Sequence, residues 1–258
     1  KAVLTRLNRG EEPTITLSEW LAVDLAVLAE RVLSSRGHAE LAKSARAVAA
    51  KLSKDGGGVM ERHRAIAAHL HAQSPDARAR ADLIEYFASH VSEIPRQWAA
   101  FMVAVDAPLE IVARMEVVRP YAADGHMGVR EIAWMVLRPG VAADVPGAIG
   151  ALREWATHPD ANVRRCAIEA TRPRGVWCSH IAELKAEPWA AESLLSCVMA
   201  DGSRYVQNSA ANWLNDASKT KAGAAWVKRF TRDALKRSDG PETAYIVKRA
   251  LRTVKKGE

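Results

Sequence analysis

The strongest candidates for chemistry are three acidic residues in the second half of the chain, Glu131, Glu169 and Asp216. Each lies near a tryptophan and near an arginine or lysine in the sequence. A carboxylate can stabilise positive charge that develops in a reaction and can hold an attacking water, and the face of a tryptophan attracts cations. A plainer interpretation makes Glu131 an ordinary ion pair and Asp216 a capping or turn residue, because charged groups are usually solvated.

The three acids belong to a phrase that recurs along the chain. Its four copies read DGHMGVREIAWMVLRP from Asp124, HPDANVRRCAIEATRPR from His158, DGSRYVQNSAANWLND from Asp201 and DGPETAYIVKRALRTV from Asp239. Each copy opens with turn-forming residues and continues into a helix with an apolar stripe. The aligned positions, 34, 43 and 40 residues apart, are Val129, Val163, Val206 and Ile246. This is the period of HEAT-type helical pairs, which stack into a curved solenoid whose concave face is a binding surface.

We therefore predict an all-α fold, a right-handed solenoid of HEAT-like repeats with a concave binding face, which the family resemblance described below assigns to DNA. One domain is expected over residues 1–258, with less regular helices over 1–107 and clear repeats over 108–258. In the first part, Ser18 is the expected N-cap of a helix that runs to Leu33. From Pro95 onward, prolines are expected to separate segments of helix length.

Certain polar residues of the repeats lie off the apolar stripes. Asn212 and Asp216 are four residues apart, and Glu131 and Trp134 are three apart, so each pair shares a helix face. Because equivalent faces of stacked repeats come together, we predict that the three acids lie on one face. Asn212 and Asn215 can instead satisfy backbone groups between repeats.

The net charge of +7 is concentrated near the end of the chain. Residues 201–258 contain 13 Lys and Arg against 6 Asp and Glu, whereas the first 200 residues contain 24 of each. A basic block favours a polyanionic partner, nucleic acid first; a solvated tail is the plain alternative. The eight tryptophans outnumber the other aromatic residues together, which indicates either surfaces that stack on a ligand or core packing.

The three cysteines, Cys166, Cys178 and Cys197, have no metal-ligand spacing. Their odd number, with no export signal visible, predicts reduced thiols and a cytoplasmic location. No apolar run reaches membrane-spanning length, and the mean hydropathy is −0.16. We expect a monomer, because a solenoid with capped ends needs no partner.

Three phrases resemble a known family. HPDANVRRCAIEATRPRGVW, SRYVQNSAANWLNDASK and KRALRTVKKG are similar to the bacterial DNA alkylation repair glycosylases with HEAT-like repeats, the AlkC branch of the AlkC/AlkD superfamily. The resemblance covers about Arg130 to Lys256. It implies a monofunctional enzyme that excises N-alkylated bases, such as N3-methyladenine, from double-stranded DNA and leaves an abasic site. It also implies that no metal or cofactor is used, and that the protein works at the bacterial nucleoid.

The resemblance assigns roles to particular residues. Glu131, Glu169 and Asp216 are expected to line the lesion site as catalytic acids. Arg172 is expected to contact a phosphate or to orient the acids. The residues expected to contact the damaged nucleotide with Arg172 are Trp134, Trp177 and Asn212. Those expected to bind the DNA backbone are Arg130, Arg164, Arg165, Arg174, Lys219, Lys228, Arg229, Lys248, Arg249 and Arg252.

Two positions depart from the family pattern. Ile-Ala-Trp-Met follows Glu131 where a string richer in Phe and Ile is typical, and Gln207 stands where an arginine is typical.

The expected chemistry suits these residue types. A base methylated on a ring nitrogen is already cationic, so it leaves readily and needs little general acid. Bond breaking then builds positive charge on the deoxyribose, which a carboxylate stabilises by about 2–4 kcal/mol. Lysines and arginines would hold phosphates without reading sequence. The base can be flipped into a pocket, or the curved solenoid can hold the duplex against its concave wall.

Two alternatives remain. A non-catalytic HEAT-repeat scaffold would bind protein partners and tolerate the loss of any one acid. An inactive DNA-binding paralogue would bind DNA with a steep salt dependence and excise nothing.

Overall fold

The computed structural model describes residues 1–254, and every regular element in that range is helical. The all-α prediction is therefore confirmed. In chain order the helices are α1 (Ala2–Arg9), α2 (Leu17–Ala22), α3 (Leu25–Ser34), α4 (Ala39–Lys54), α5 (Val59–Gln73), α6 (Ala77–Ala88), α7 (Glu93–Asp106), α8 (Ile111–Ala122), α9 (Met127–Ala143), α10 (Val145–Ala156), α11 (Ala161–Ala170), α12 (Ala182–Ala186), α13 (Glu192–Ser196), α14 (Arg204–Ala217), α15 (Lys221–Arg237) and α16 (Pro241–Ala250). A 3-10 turn, Pro188–Ala191, joins α12 to α13.

The helices pack into two compact units. The first comprises Lys1–Ala107 with His126–Ile132, and the second comprises Pro108–Gly125 with the chain from Ala133 onward. The boundary at residue 107 coincides with the predicted start of the regular repeats. The predicted single domain stays a prediction.

The start of the first unit differs from its prediction. The helix expected from Ser18 to Leu33 is two helices, α2 and α3, and its N-cap is Thr16. Thr16 and Glu19 form a capping box, in which each side chain accepts a hydrogen bond from the other residue's backbone N–H. The carboxylate of Asp24 then accepts from the first free N–H groups of α3. A second good cap inside the expected helix therefore starts a new helix.

Aromatic rings contact one another in the core of the first unit. Trp98 and Phe87 are fully buried and meet edge to face, with ring centroids 5.8 Å apart. His63 is also fully buried and stacks on Trp20 at 5.1 Å. Burial, and then the neighbouring charges of Arg62 and Arg64, lower the pKa of His63 to about 3, so this imidazole is neutral.

The aligned residues of the repeat phrase are core residues. Val129, Val163, Val206 and Ile246 are all fully buried. The first three are each the third residue of a helix, in α9, α11 and α14. In α16 the third residue is Thr243, and Ile246 follows one turn later. The fourth copy is therefore shifted by one helical turn relative to the sequence alignment.

Two prolines lie beyond the first turn of a helix rather than between helices. Pro120 is within α8 and Pro139 is within α9, which continues to Ala143. A proline inside a helix leaves a carbonyl of the preceding turn without its donor. For Pro139 that carbonyl belongs to Met135. The buried guanidinium of Arg114 donates to the next carbonyl, that of Val136, at 2.8 Å. The turn before this proline therefore has a tertiary hydrogen bond in addition to those of the helix.

Arg164 connects consecutive repeats in the second unit. From the first turn of α11, its Nη1 donates to the carbonyls of His158 and Pro159 at 2.9 and 2.8 Å. Its Nε and Nη2 donate to the carboxylate of Asp201 at 2.6 and 3.0 Å. That carboxylate also accepts from the backbone N–H of Ser203, the N-cap of α14. The arginine therefore fixes the start of one repeat helix against the start of the next.

The fourth residue of two other helices also donates to main-chain carbonyls just before its own helix. In α7, Arg96 donates to the carbonyls of His90 and Val91. In α14, Gln207 is buried and donates to the carbonyl of Asp201 at 2.6 Å. Gln207, which stands where the family typically has an arginine, therefore makes a structural hydrogen bond within the fold.

Tryptophans serve mainly as core residues. Trp213 is fully buried, its Nε1 donates to Thr171 Oγ1 at 3.1 Å, and its ring meets Trp226 edge to face. Trp226 in turn stacks on Phe230 at 5.3 Å. The buried tryptophans are Trp98, Trp134, Trp155, Trp213 and Trp226. The core-packing alternative therefore accounts for most of the tryptophan excess.

Candidate active site

Two of the predicted acids meet around one arginine in the second unit. Arg172 follows the C-terminus of α11, and its Nη1 donates to Glu169 Oε2 at 2.9 Å. Its Nε and Nη2 donate to Asp216 Oδ2 at 3.1 and 2.7 Å. Glu169 is 4% exposed and Asp216 is 7% exposed. We call Glu169, Arg172 and Asp216 the acid cluster.

Further contacts hold each carboxylate in place. Ser209, on α14, donates its hydroxyl to Glu169 Oε1 at 2.6 Å, and Arg165 Nη2 lies 3.8 Å from the same oxygen. Lys219 Nζ lies 2.8 Å from Asp216 Oδ1. All four carboxylate oxygens therefore have a hydrogen-bond donor. The lysine is the most exposed of these donors and can leave with the least rearrangement.

The two carboxylates of the acid cluster stabilise the charge of its arginine. Burial opposes the charge of Arg172, but Glu169 and Asp216 outweigh burial and raise its pKa above its ordinary value. The guanidinium is therefore permanently charged. Because buried charges require partners, the arginine and the two carboxylates depend on one another.

Arg172 binds different partners from the residues at the equivalent position of the neighbouring repeats. Arg138, Arg172 and Asn215 each occupy the twelfth position counted from the start of a repeat helix. Arg138 donates to the carbonyl of Ala170, the last residue of α11, and Asn215 donates to the carbonyl of Ala250, the last residue of α16. Both side chains thus cap the C-terminus of the following repeat helix. Arg172 binds carboxylates instead.

The two acids come together from different helical positions. Glu169 is the ninth residue of α11, whereas Asp216 is the thirteenth of α14. The ninth residue of α14 is Asn212, whose Oδ1 accepts from Arg252 Nη2 at 3.0 Å. Asn212 therefore lies one turn before Asp216 on the same face of α14.

Trp177 lies in the loop between α11 and α12. Its indole is 51% exposed, and its backbone has φ of 65°, in the left-handed region. A bulky residue is uncommon there, and such conformations cluster at functional sites. Of the predicted nucleotide contacts, Trp177 has the most exposed ring.

Arginine–aromatic stacks run along the repeats next to the acid cluster. The guanidinium of Arg165 lies 4.3 Å from the ring centroid of Tyr205. Arg204 and Arg249 lie 3.5 and 5.6 Å from the ring centroid of Tyr245. These stacks order cationic side chains that would otherwise sample many rotamers.

Glu131 belongs to the first unit and Trp134 to the second, although both lie on α9. Glu131 and its neighbour Arg130 are half-buried. Trp134 is only 2% exposed, so its ring is part of the core. A ring this deeply buried cannot stack on a nucleotide, so Trp134 is not among the proposed nucleotide contacts.

The other predicted DNA contacts differ in exposure. The guanidinium of Arg164 already donates to Asp201 and to two main-chain carbonyls, so Arg164 is not among the proposed DNA contacts. Arg174 is half-buried in the loop that carries Trp177. The exposed basic residues of this set are Lys219, Lys228, Arg229, Lys248, Arg249 and Arg252.

Two residues beside the acid cluster were not singled out from the sequence. Ser209 was part of the phrase that resembles the family, but a buried serine gives no signal of its own in one sequence. Arg138 was visible only as the arginine of a Leu-Arg-Pro string. Its equivalence to Arg172, twelve positions into a repeat helix, could have drawn attention to it.

Among residues 1–254, no group of three or more His, Cys, Asp or Glu side chains is arranged to hold a metal ion. In the same range, no helix is both long and apolar enough to cross a membrane.

The chain has the helical-repeat fold of the AlkC/AlkD superfamily, as its phrases predict. It is similar to the structure of Pseudomonas fluorescens alkylpurine DNA glycosylase AlkC bound to DNA containing an abasic site analogue, with a TM-score of 0.70 and 25% identity. It is also similar in fold to AlkD2 from Streptococcus mutans, with a TM-score of 0.59 and 21% identity.

The coverage of these relatives is partial. The match to AlkC includes 94% of this chain but 66% of that one, and the match to AlkD2 includes 81% of this chain and 98% of that one. The uncharacterized protein YhaZ of Bacillus subtilis is 36% identical over 129 residues, which is 47% of this chain and 33% of YhaZ. The chain thus spans less than two thirds of AlkC and about a third of YhaZ. No family model matches it.

Proposed function

We propose that this chain is a monofunctional DNA glycosylase that hydrolyses the N-glycosidic bond of N-alkylated, cationic bases such as N3-methyladenine and leaves an abasic site. The observation that carries the proposal is the acid cluster, two buried carboxylates held by one arginine. The similarity to the structure of AlkC, an alkylpurine DNA glycosylase bound to DNA, supports it.

Asp216 is the proposed catalytic carboxylate closest to the sugar. The bond to a cationic base breaks dissociatively, so positive charge grows on the deoxyribose. Asp216 would stabilise that charge and hold the attacking water. Glu169 and Glu131 are the other proposed catalytic acids. Glu169 shares Arg172 with Asp216 and so helps to fix its orientation.

DNA would change the partners of the acid cluster. Lys219 is paired with Asp216, and Arg165 lies near Glu169. A phosphate of the DNA backbone competes with carboxylates for such cations. When Lys219 moves to a phosphate, Asp216 Oδ1 loses its donor and becomes available to the sugar or to water. In this way the proposed substrate would itself activate the carboxylate.

The proposed contacts to the nucleotide are Trp177, Arg172 and Asn212. The exposed face of Trp177 would attract the cationic base or sugar, an interaction of about 0.5–2 kcal/mol. The proposed backbone contacts, which bind without reading sequence, are Arg130, Arg165, Arg174, Lys219, Lys228, Arg229, Lys248, Arg249 and Arg252. Action as a monomer in the cytoplasm, at the nucleoid, stays a prediction.

A non-catalytic DNA-binding protein is the second candidate function. The observation in its favour is that Arg172 and Lys219 already neutralise Asp216 in the absence of DNA. Such a protein would make the same proposed contacts to the DNA backbone but would leave the alkylated base attached to its sugar.

The direct test incubates the protein with double-stranded DNA treated with a methylating agent and resolves the released material by chromatography. We expect free methylated adenine, and an abasic site whose strand breaks only after alkali. Enzyme-dependent strand cleavage without alkali would contradict the monofunctional assignment. Salt-sensitive binding without base release would favour the second candidate.

A further inference from the structure

The loop over residues 171–181 is held by an arginine outside the acid cluster. Arg138, on α9, is 4% exposed. Its Nη1 donates to the carbonyls of Ala170 and Arg172 at 3.1 and 2.9 Å, and its Nη2 donates to the carbonyl of Ser179 at 2.8 Å. One guanidinium therefore binds both ends of the loop that carries Trp177.

The middle of the loop passes closely over the same guanidinium. A methyl group on Gly175 would collide with the Sγ of Cys178 and would lie 3.1 Å from Cζ of Arg138. An alanine at this position would therefore have to displace the side chain of Cys178 and press on the guanidinium of Arg138. The chain wraps around Arg138 and turns outward at Trp177, which has the left-handed backbone noted above.

We propose that Arg138 is a positioning residue, which acts by holding the Trp177 indole where the damaged nucleotide binds. This inference rests on the proposed function and deepens it. The planar fork of an arginine can donate to three carbonyls at once, whereas a lysine cannot reproduce that geometry. Arg138 also fixes the carbonyl of Arg172, so it joins the Trp177 loop to the acid cluster.

The first test reads the loop without any catalysis. The loop contains one bond that trypsin cleaves readily, Arg174–Gly175, because Arg172 precedes a proline. In Arg138→Met we expect cleavage at this bond, located by mass spectrometry, to be about tenfold faster than in the parent, because the loop opens more often. The matched control is Arg96→Met, which removes an arginine of the first unit that also donates to main-chain carbonyls, those of His90 and Val91. The control should leave the loop cleavage rate unchanged.

The second test asks whether Arg138 acts through Trp177. We expect Arg138→Met to slow single-turnover base release about 10- to 100-fold, as misplacement of a binding group does, with salt-sensitive DNA binding retained. In a Trp177→Ala background, the same substitution should cause no further loss. A merely structural role would slow release equally in both backgrounds.

Gly175→Ala perturbs the same loop without removing a buried charge, so it tests the inference if Arg138→Met does not fold. It should also accelerate cleavage after Arg174 and slow base release. Unchanged cleavage in folded variants, or losses that add fully to those of Trp177→Ala, would overturn the inference. If the parent releases no base, the proposed function fails, while the cleavage rates still decide whether Arg138 holds the loop.

Discussion

At the scale of single residues, the central feature is mutual dependence among buried charges. Glu169 and Asp216 share the guanidinium of Arg172, and each has a second donor of its own. Removing any one member leaves another charge buried without its partner, which strongly destabilises a folded protein. Effects on catalysis and on stability must therefore be measured separately at this site.

Ser209→Ala is expected to destabilise the protein. It removes a buried hydrogen bond of 2.6 Å to Glu169 Oε1, and a hydrogen bond to a charged group contributes about 1.5–3 kcal/mol. Urea unfolding should show a loss in this range. The control, Ser196→Ala, removes an exposed hydroxyl that bonds to the carbonyl of Glu192. An equal loss in both variants would contradict the role of the acid cluster in stability.

His63 predicts part of the pH dependence of stability. Its pKa is about 3 in the folded protein against 6.5 ordinarily, so the unfolded chain binds its proton first as pH falls. The free energy of unfolding therefore decreases between about pH 6.5 and 3 through this residue. In His63→Phe this decrease should be smaller than in the parent, whereas exposed His38→Gln should follow the parent. Parallel curves for the parent and His63→Phe would refute the prediction.

At the scale of helices, the repeats are joined by side chains at fixed positions. The fourth residue of α11, Arg164, binds the turn before α14, and Gln207 of α14 binds the same turn. The twelfth position holds Arg138 and Asn215, which cap the next helix. Such contacts set the register between repeats, and the register places Glu169 beside Asp216.

Asp201→Ala is expected to lower the free energy of unfolding by about 3 kcal/mol, because it leaves the Arg164 guanidinium without its partly buried carboxylate partner. Chemical denaturation is the measurement. Asp233→Ala breaks an exposed pair with Lys236 and should cost less than about 1 kcal/mol. If Asp201→Ala cost no more than Asp233→Ala, the connecting role of Arg164 would be wrong.

The sequence predicts the elements of the repeats better than their connections. The phrase beginning with a turn and a β-branched residue correctly located α9, α11 and α14, because a buried third residue and a cap are local signals. Thr243, rather than Ile246, takes the third position in α16, because the apolar pattern of that helix fits two registers. The use of Arg164 depends on Asp201, 37 residues away, which local patterns do not reveal.

At the scale of the whole molecule, the excess positive charge lies in the last repeats, while the preceding 200 residues are neutral. Many of these lysines and arginines are exposed, and Arg249 and Arg252 flank Asn212 and Tyr245. Such a charge distribution attracts a polyanion over distances near the Debye length. We expect this positive charge to determine the affinity for DNA, and the acid cluster to determine the rate of base release.

Arg249→Gln and Arg252→Gln should each weaken binding to DNA of any sequence. Each should reduce the slope of log affinity against log salt by about 1, because one phosphate contact is lost. Binding titrations at several salt concentrations measure this slope. The control is Lys43→Gln, which removes an exposed lysine paired with Glu40 in the first unit. Equal slopes for all variants and the parent would contradict the proposed backbone contacts.

If the buried carboxylate of Asp216 drives base release, its replacement must slow the single-turnover reaction on methylated DNA. We expect Asp216→Asn to fold and to bind DNA but to release methylated adenine about 10²–10³-fold more slowly than the parent, with Asp233→Asn unchanged. Release by Asp216→Asn at the rate of the parent would contradict it.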